Sequence, residues 1–171
     1  PTIRKRLEHI VKKLFSLDTT LEGGDGDVAN VSIYSRLVVE WLLANGLLKA
    51  KSGEIRVPAA IFRSPSSVMG AFIAGYFDAD GCDRARKGGF GFDSISVEML
   101  RDVQQLLALN GIVSHINRTD RSAQGWQDIY RLVVTGSQFK QRFAAFVPAE
   151  KVTNVESKRD MYNTYPADVW V

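Results

Sequence analysis

The sequence predicts an α+β fold, in which helices alternate with pairs of antiparallel strands in the order αββαββα from residue 66 onward. Two observations predict this order. Apolar residues recur at helical spacing in the longer segments, whereas the short segments between them are rich in β-branched and aromatic residues. A third observation, a weak internal repeat, predicts that a partial copy of the same unit precedes the complete one.

The first part of the chain predicts two helices and one short strand. Ile3, Leu7 and Ile10 begin an apolar stripe at helical spacing. The expected elements are an amphipathic helix at 2–16, a turn at 23–27, a β-prone segment at 28–33, a helix at 35–45 that ends at Gly46, and irregular chain at 49–65.

The second part predicts the complete unit. Ser66 and Ser96 each precede an apolar helical pattern and are therefore expected to be N-caps. The expected elements are a helix at 66–79, a β-hairpin of 82–86 and 90–95 around a glycine turn, a helix from Ser96 that Gly111 closes, a strand pair at 113–118 and 129–134, and a short helix at 139–146.

The internal repeat relates these two parts. Helix LEHIVKKLFSL, strand NVSIY and helix SRLVVEWLLANG resemble LRDVQQLLALNG, IYRLVV and SQFKQRFAAF in type and order. The first copy lacks the apolar helix and the hairpin that open the second. We therefore expect a partial repeat at 1–64, a complete repeat at 65–150 and a C-terminal tail at 151–171.

The composition excludes several classes of protein. With 45% hydrophobic and 24% charged residues, the chain is typical of globular proteins. Its single cysteine, Cys82, excludes an internal disulfide and favours the reducing cytoplasm. The apolar run at 68–77 is far shorter than the ~20 residues that span a bilayer, and 1–13 has no signal-peptide pattern. We expect a cytoplasmic protein without a membrane partner.

The helix at 66–79 carries a stripe of small residues. Ala71, Ala74, Gly75 and Asp78 are spaced so that they share one face, while bulky apolar residues cover the other sides. Such a helix is expected to be buried all round, and its small residues allow a second backbone to approach closely. The pattern therefore predicts a helix interface, most simply with a second copy of the same helix.

Two carboxylates lie at the end of this helix. Pairing of two such helices would bring Asp78 and Asp80 of each together, and the converging charges would repel unless a cation lay between them. Hard oxygen ligands favour Mg²⁺, which can assist hydrolysis of a phosphodiester. A core helix that ends in a polar turn explains the same pattern, and periodicity alone favours that interpretation over a metal site.

The segment IAGYFDADG, residues 73–81, resembles the signature of the LAGLIDADG homing endonucleases, and its surroundings are similar to the dodecapeptide type found inside inteins. The similarity extends over about 50–147. It implies an αββαββα unit whose saddle-shaped sheet binds the DNA major groove. It also implies two signature helices, in one chain or in a homodimer, so that this chain is expected to form a homodimer or to lack an N-terminal repeat.

The resemblance also implies roles for individual residues. Asp80 matches the catalytic, metal-binding aspartate, and Gly81 is the second expected metal-binding position. Asp78 matches the more structural acid and Lys151 the lysine that assists at the active site. The implied cofactor is Mg²⁺, with Mn²⁺ as a substitute. Ile55 departs from the family pattern, because the first unit usually has a lysine there.

Basic residues supply the expected DNA contacts. Alternation along the first hairpin strand places Arg84 and Arg86 on one side and Lys87 on the other. Arginine reads guanine edges bidentately, and either cation binds phosphate. Solvated surface charge explains each of these residues equally well when it is taken alone. The complete expected set is Arg84, Arg86, Lys87, Arg118, Arg121 and Arg131.

The predicted function is that of a Mg²⁺-dependent, site-specific endonuclease of double-stranded DNA, derived from an intein. The alternative is a non-catalytic DNA- or RNA-binding module, such as a regulator or a maturase. The intact DADG favours the enzyme, whereas Ile55 and the missing first signature helix favour the binding module. Pro1 and Val171 do not provide the terminal residues of protein splicing, so splicing by this chain is not expected.

Overall fold

The computed structural model describes residues 3–22, 30–48, 51–84 and 89–152 of the chain. The chain divides into two compact units, residues 1–48 and 49–171. Its elements are α1 (Ile3–Phe15), β1 (Thr20–Glu22), β2 (Asn30–Ser32), α2 (Arg36–Ala44), α3 (Ala59–Phe62), α4 (Ser66–Asp80), β3 (Gly81–Arg84), β4 (Gly89–Ser94), α5 (Val97–Leu109), β5 (His115–Thr119), β6 (Ile129–Thr135) and α6 (Ser137–Phe146).

The first unit is a helix, a two-stranded antiparallel sheet and a second helix. Leu21 is the register partner of Val31, so β1, which the sequence did not predict, pairs with the predicted β2. The side chain of Ser35 caps α2 by accepting a hydrogen bond from the Val38 N–H at 3.4 Å. The predicted turn at 23–27 lies outside the described residues.

The second unit contains the predicted αββαββα order. Its sheet has the strand order β3-β4-β6-β5, and all neighbouring strands are antiparallel. Phe90 and Phe92 alternate along β4 with residues of the other face, as Leu132 and Val134 do along β6, and these four side chains are fully buried. The face of the sheet to which these side chains point is therefore buried in the core, and it is called the covered face below.

Helices α4, α5 and α6 supply the rest of this core. Phe77 of α4 contacts Phe143 of α6 edge to face at a centroid distance of 5.4 Å, and Phe143 stacks on Phe90 at 4.8 Å. Leu100, Val103 and Leu107 form the buried stripe of α5. Each fully buried apolar side chain contributes about 1.5–3 kcal/mol, so this three-helix contact fixes the position of α4.

Local signals set most of the helix ends. Ser96 caps α5, as predicted, by accepting a hydrogen bond from the Met99 N–H at 3.2 Å. Gly111 ends it with a φ of 72°, which favours glycine. The prediction for Ser66 was wrong, because Pro65 holds the N-cap position of α4 without a side-chain hydrogen bond and Ser66 is the first helical residue.

The segment before α4 belongs to the second unit, although the sequence placed it in the first repeat and predicted no helix there. Asp102 of α5 accepts hydrogen bonds from Arg56 Nε at 2.6 Å, Arg56 Nη2 at 2.7 Å and the backbone N–H of Val57 at 3.1 Å. The Val57 side chain is buried in the core, and α3 follows directly. These contacts link residues 45 or more positions apart, which local sequence cannot report.

Within the described ranges, no helix is both long and apolar enough to cross a membrane.

Candidate active site and nucleic-acid interface

The end of α4 brings together an acid, a glycine and a lysine. Asp78 is buried, and its Oδ1 accepts a hydrogen bond from the backbone N–H of Lys151 at 3.1 Å. Helix α4 ends at Asp80, whose side chain is exposed. A Cβ added to Gly81 would lie 2.3 Å from the Phe77 ring, so the close turn from helix to strand requires glycine. The packing of α4 thus presents the second aspartate to solvent.

Lys151 extends its ammonium group to the same helix end. Its Nζ donates to the carbonyl oxygen of Ala79 at 3.2 Å and approaches that of Gly81 at 3.5 Å. Cations are favoured at a helix C-terminus, where the last carbonyls have no partner in the helix. The predicted proximity of Lys151 to the signature is therefore present, and a helix-capping contact accounts for it.

This helix end offers two hard oxygen donors, the carboxylate of Asp80 and the carbonyl of Gly81. Among the described residues, no group of three or more His, Cys, Asp or Glu side chains is arranged to hold a metal ion. Mg²⁺ commonly binds through one or two protein oxygens and completes its shell with water and substrate phosphates. The donor set fits such an ion, provided that other ligands complete the shell.

Tyr76 lies one turn before Asp80, and sequence reasoning missed it. Its ring stacks on Phe92 with the centroids 5.2 Å apart. Burial raises the pKa of Tyr76 above its ordinary value, the nearby Ser94 hydroxyl lowers it, and the charge of Asp80 raises it slightly. The phenol thus stays neutral near the candidate site. The same periodicity that identified the small-residue stripe could have identified it, because Tyr76 and Asp80 are four residues apart.

The predicted small-residue stripe is divided between two environments. Ala74 and Asp78 are buried, whereas Ala71 and Gly75 are exposed. A Cβ added to Gly75 would meet no heavy atom within 4 Å. This is the side on which the sequence predicted contact with a second helix, and a single chain does not test the burial expected there. A helix interface through Ala71 and Gly75 stays a prediction.

The second face of the sheet, here called the open face, is the one opposite the covered face. Directly paired residues of an antiparallel sheet point to the same side, and alternate residues point to opposite sides. Because Phe92 and Leu132 point to the covered face, Asp93 and Arg131 point to the open face. Among the described residues, its small and polar members include Cys82, Gly89, Gly91, Asp93, His115, Asn117, Thr119, Arg131 and Thr135.

Of the predicted DNA-contacting residues, Arg131 lies on the open face. It is paired with Asp93 directly across the strands, with Nη2 to Oδ2 at 2.7 Å. The hydrogen bond that Arg131 donates to Asp93 raises the pKa of Arg131 above its ordinary value. Arg84 lies in β3, while Arg86 and Lys87 lie outside the described residues.

The other two predicted arginines lie elsewhere. Arg118 lies in the edge strand β5 between two residues that point to the open face, so it points to the opposite side. Its Nε donates a hydrogen bond to Oδ2 of Asp128 at 2.7 Å. Arg121 lies over the ring of Trp126, with Cζ 5.5 Å from the centroid. The expectation that Arg118 extends one basic surface with Arg131 was wrong, because the register of β5 turns it to the other face.

Comparisons with known proteins find a family model that matches part of the second unit. Residues 67–148 match the family model described as LAGLIDADG-like domain. The chain is 23% identical over 159 residues to the glutamine–fructose-6-phosphate aminotransferase of Methanocaldococcus jannaschii, and 32% identical over 108 residues to elongation factor 2 of Methanopyrus kandleri. These matches cover 91% and 63% of this chain, but the chain spans 14% and 8% of the two relatives.

Solved structures of the homing endonuclease I-DmoI have the same fold. The structure in complex with its target DNA in the presence of Mg matches with a TM-score of 0.60 at 18% identity and covers 87% of this chain and 73% of that one. The complex with DNA and Mn matches with a TM-score of 0.59 at 19% identity, covering 85% and 72%. The family model supports the predicted LAGLIDADG resemblance for residues 67–148, which carry the candidate site, and the solved structures support the predicted fold.

Proposed function

We propose that this chain is a LAGLIDADG-type endonuclease unit that hydrolyses a phosphodiester bond of double-stranded DNA with a divalent metal ion. The observation that carries the proposal is the end of α4, where the exposed Asp80 follows the buried Asp78 and the ammonium group of Lys151 binds the last helix carbonyls. Capping by Lys151 would serve a core helix as well, whereas a core helix has no need of an exposed acid at this position. The fold supports the proposal, because I-DmoI, which matches it, was solved with target DNA.

Asp80 and the carbonyl of Gly81 would hold the metal ion. Both are hard oxygen donors, which Mg²⁺ and Mn²⁺ accept. A bound divalent ion supplies Lewis-acid stabilisation of the charge on a phosphate and lowers the pKa of a bound water. The I-DmoI structures were solved with DNA and Mg or Mn, which supports this cofactor class.

The chain's own groups would orient the site. Asp78 has a structural role, because its buried carboxylate binds the backbone of Lys151 and so holds the segment 147–152 against α4. Lys151 would stabilise negative charge on the phosphate with an ammonium group that already lies at the helix end. A second copy of α4, seated on the exposed Ala71 and Gly75, would bring a second Asp80 to the same place.

The relatives support an origin as an inserted element. An aminotransferase and a translation elongation factor are proteins of different kinds, yet each is similar to this chain over a small part of its own length. Such a distribution is expected of a segment carried by different host proteins, as an intein is. We therefore extend the proposal to an intein-derived homing endonuclease that acts at a specific site.

The proposal is tested by cleavage of a randomised duplex DNA library in Mg²⁺, with Mn²⁺ and Ca²⁺ in parallel. Asp80→Asn should lower cleavage by orders of magnitude while DNA binding is retained, because the substitution removes a metal ligand and preserves the shape. Lys151→Met should lower the rate less severely. Glu150→Gln is the matched control, because Glu150 is an exposed acid next to Lys151. Equal cutting by wild type and Asp80→Asn would refute the catalytic assignment.

A non-catalytic DNA- or RNA-binding module is the second candidate. It is favoured by the small donor set, since the described residues contain no cluster of three potential ligand side chains. This function would be indicated by a wild-type chain that binds a specific duplex or RNA but cuts no DNA in Mg²⁺ or Mn²⁺.

A further inference from the structure

One buried lysine of the second unit has no role in the proposed function. Lys140 of α6 is 8% exposed. In the described part of the chain, no hydrogen bond or ion pair joins its ammonium group to another residue. The buried acids of the same unit differ, because Asp78 and Asp102 both accept hydrogen bonds. A buried charge without a partner costs free energy, so the position of this ammonium group needs a physical explanation.

The stem and the tip of Lys140 lie in different environments. Among the described residues, the fully buried side-chain nitrogen and oxygen atoms without a partner are the hydroxyls of Tyr76 and Ser114. Nζ of Lys140 is not one of them, so the ammonium group reaches solvent while the carbon stem is buried. Phe143, one turn later on the same side of α6, has no exposed surface. Such a lysine can simply extend to water, and a ligand is indicated only if a second feature lies beside it.

That second feature is the N-terminus of α6. Side chains of an α-helix point back toward its N-terminus. Lys140 is the fourth residue of this helix, so its side chain is directed over the first turn. In this turn, the backbone N–H groups of Gln138 and Phe139 have no acceptor within the helix. The N-cap Gly136 has no side chain, none of the described side chains caps this end, and the first turn contains no acid.

The two features together provide donors for a phosphate group. The N–H groups and the positive end of the helix dipole attract an anion, and the ammonium group adds a full positive charge. A phosphate has oxygens in several directions, so it can accept from the first turn and from Lys140 at the same time, whereas the two oxygens of a carboxylate lie in one plane. Because the stem of Lys140 is already packed, little conformational freedom is lost on binding.

We infer that Lys140 and the N-terminus of α6 form a binding site for the phosphate group of a free anion or a small phosphorylated molecule. Helix α6 packs on the covered face, where Phe143 stacks on Phe90 with the centroids 4.8 Å apart. The site therefore lies on the opposite side of the sheet from the open face, away from the phosphates of a duplex bound there. The inference does not depend on the proposed endonuclease activity.

Thermal unfolding of the full chain tests this site with inorganic phosphate, which replaces chloride at constant ionic strength. The unfolding temperature of the wild type should rise with the phosphate concentration, because an anion bound to the folded state stabilises it. Acetate at the same ionic strength should have no such effect. The dependence on concentration gives the phosphate affinity of each variant.

Lys140→Met keeps an unbranched side chain and removes its charge. It should lower the phosphate affinity about tenfold, as expected for the loss of a hydrogen bond from a charged group. Without phosphate, its unfolding temperature should be at least that of the wild type, because a buried charge without a partner is removed. Lys13→Met is the matched control, since it makes the same change at an exposed lysine of the first unit, and its response to phosphate should equal that of the wild type.

A second pair of variants tests the helix end without changing the buried lysine. Gln138→Glu places a carboxylate in the first turn of α6, where it competes with phosphate for the same N–H groups. It should retain the fold, because Gln138 is exposed, and lower the phosphate affinity. Gln141→Glu makes the same change at an exposed position one turn later, and it should leave the phosphate affinity unchanged.

A duplex DNA titration, in a buffer without phosphate, identifies the source of the phosphate. A duplex selected by the wild type from a randomised library is titrated in Ca²⁺ over a salt series by fluorescence anisotropy. Lys140→Met should have the same salt slope as Lys13→Met. A slope smaller by about 0.9 in Lys140→Met alone would assign the site to a phosphate of the DNA backbone and refute a site for a small anion.

The inference and the proposed function fail in different ways. If phosphate stabilises Lys140→Met as strongly as the wild type, the site is refuted and Lys140 extends to water without a ligand. Acetate that stabilises the wild type as strongly as phosphate would also refute it. If Lys140→Met does not fold, the comparison of Gln138→Glu with Gln141→Glu decides in its place. A wild type that cuts no DNA refutes the proposed catalysis and leaves the phosphate response of these variants unaffected.

Discussion

The two units of the chain have related element orders but very different interiors. In the second unit, Phe77, Phe92 and Phe143 have no exposed surface and contact one another. In the first unit, Val11 and Val38 are the buried apolar residues among those described, while large side chains of both helices are exposed: Leu14, Leu37, Trp41 and Leu43. The described part of the first unit has no counterpart of α4, β3 and β4. In the second unit, α4 and β4 supply Phe77 and Phe92 of this contact, so the core of that unit depends on the elements for which the first has no described counterpart.

The largest effect should come from truncating that core. Phe77→Ala removes a ring that contacts three other phenylalanines, so it should lower the free energy of unfolding by about 3–5 kcal/mol. Trp41→Ala is the counterpart in the first unit, where the ring is 48% exposed and contacts Phe15 at a centroid distance of 5.6 Å. Its cost should be much smaller, because less surface is buried.

Hydrogen exchange measured by mass spectrometry distinguishes these two results, because it reports on peptides of each unit separately. Phe77→Ala should lower protection across 66–146, and Trp41→Ala should change peptides of 3–48 alone. An equal loss of stability from the two substitutions would mean that the first unit has a core of its own, and the comparison would be wrong.

The sequence predicted the second unit well because its signals are local. The cap at Ser96 and the left-handed Gly111 each act within a few residues, and the αββαββα order follows from apolar spacing that is also local. The face of Arg118 and the partner of Arg131 depend on register between strands, and Asp93 is 38 positions from Arg131. No short-range pattern encodes such a pairing.

The same limit applies to the candidate site. Asp80 and Gly81 lie in one short motif and could be named from it. Helical spacing could have indicated Tyr76 as a neighbour of Asp80, but its stacking on Phe92 of another element could not be read from the sequence. The contact of Asp78 with the backbone of Lys151 spans 73 positions, so sequence could suggest the pair only through the family resemblance.

A pair of glycines in α4 offers a finer test of which side of this helix the core covers. A Cβ at Gly70 would lie 2.3 Å from the backbone oxygen of Phe146, so Gly70→Ala should destabilise the fold by about 1–3 kcal/mol. Gly75→Ala meets no atom within 4 Å, and it should stabilise α4 by up to about 1 kcal/mol through helix propensity.

Urea unfolding, followed by circular dichroism, measures both changes. Each variant adds one methyl group to the same helix at a different position, so each is the control of the other. A loss of stability in Gly75→Ala that grows with protein concentration would indicate that a second chain contacts this side of α4 and that the methyl group disturbs it. A loss that does not depend on concentration would contradict the open space around Gly75.

The smallest effect on stability is expected from an exposed leucine of the first unit. Leu37 is 77% exposed at the start of α2, so Leu37→Lys removes almost no buried surface and should change the free energy of unfolding by no more than about 0.5 kcal/mol. Its effect should instead be on association, because Leu37 and Trp41 are exposed four residues apart and so lie on the same side of α2. Clustered apolar side chains of this kind promote contact between molecules. Leu109→Lys is the matched control, because Leu109 is 63% exposed at the end of α5 in the well-packed unit.

Sedimentation velocity over a range of concentrations should show less self-association for Leu37→Lys and no change for Leu109→Lys. Single exposed leucines are common on protein surfaces and have no such consequence, which is why the control is informative. A loss of more than about 2 kcal/mol in Leu37→Lys, at every concentration, would mean that Leu37 is buried in solution. The first unit would then have a covered apolar face like that of the second, and the contrast between the two interiors would disappear.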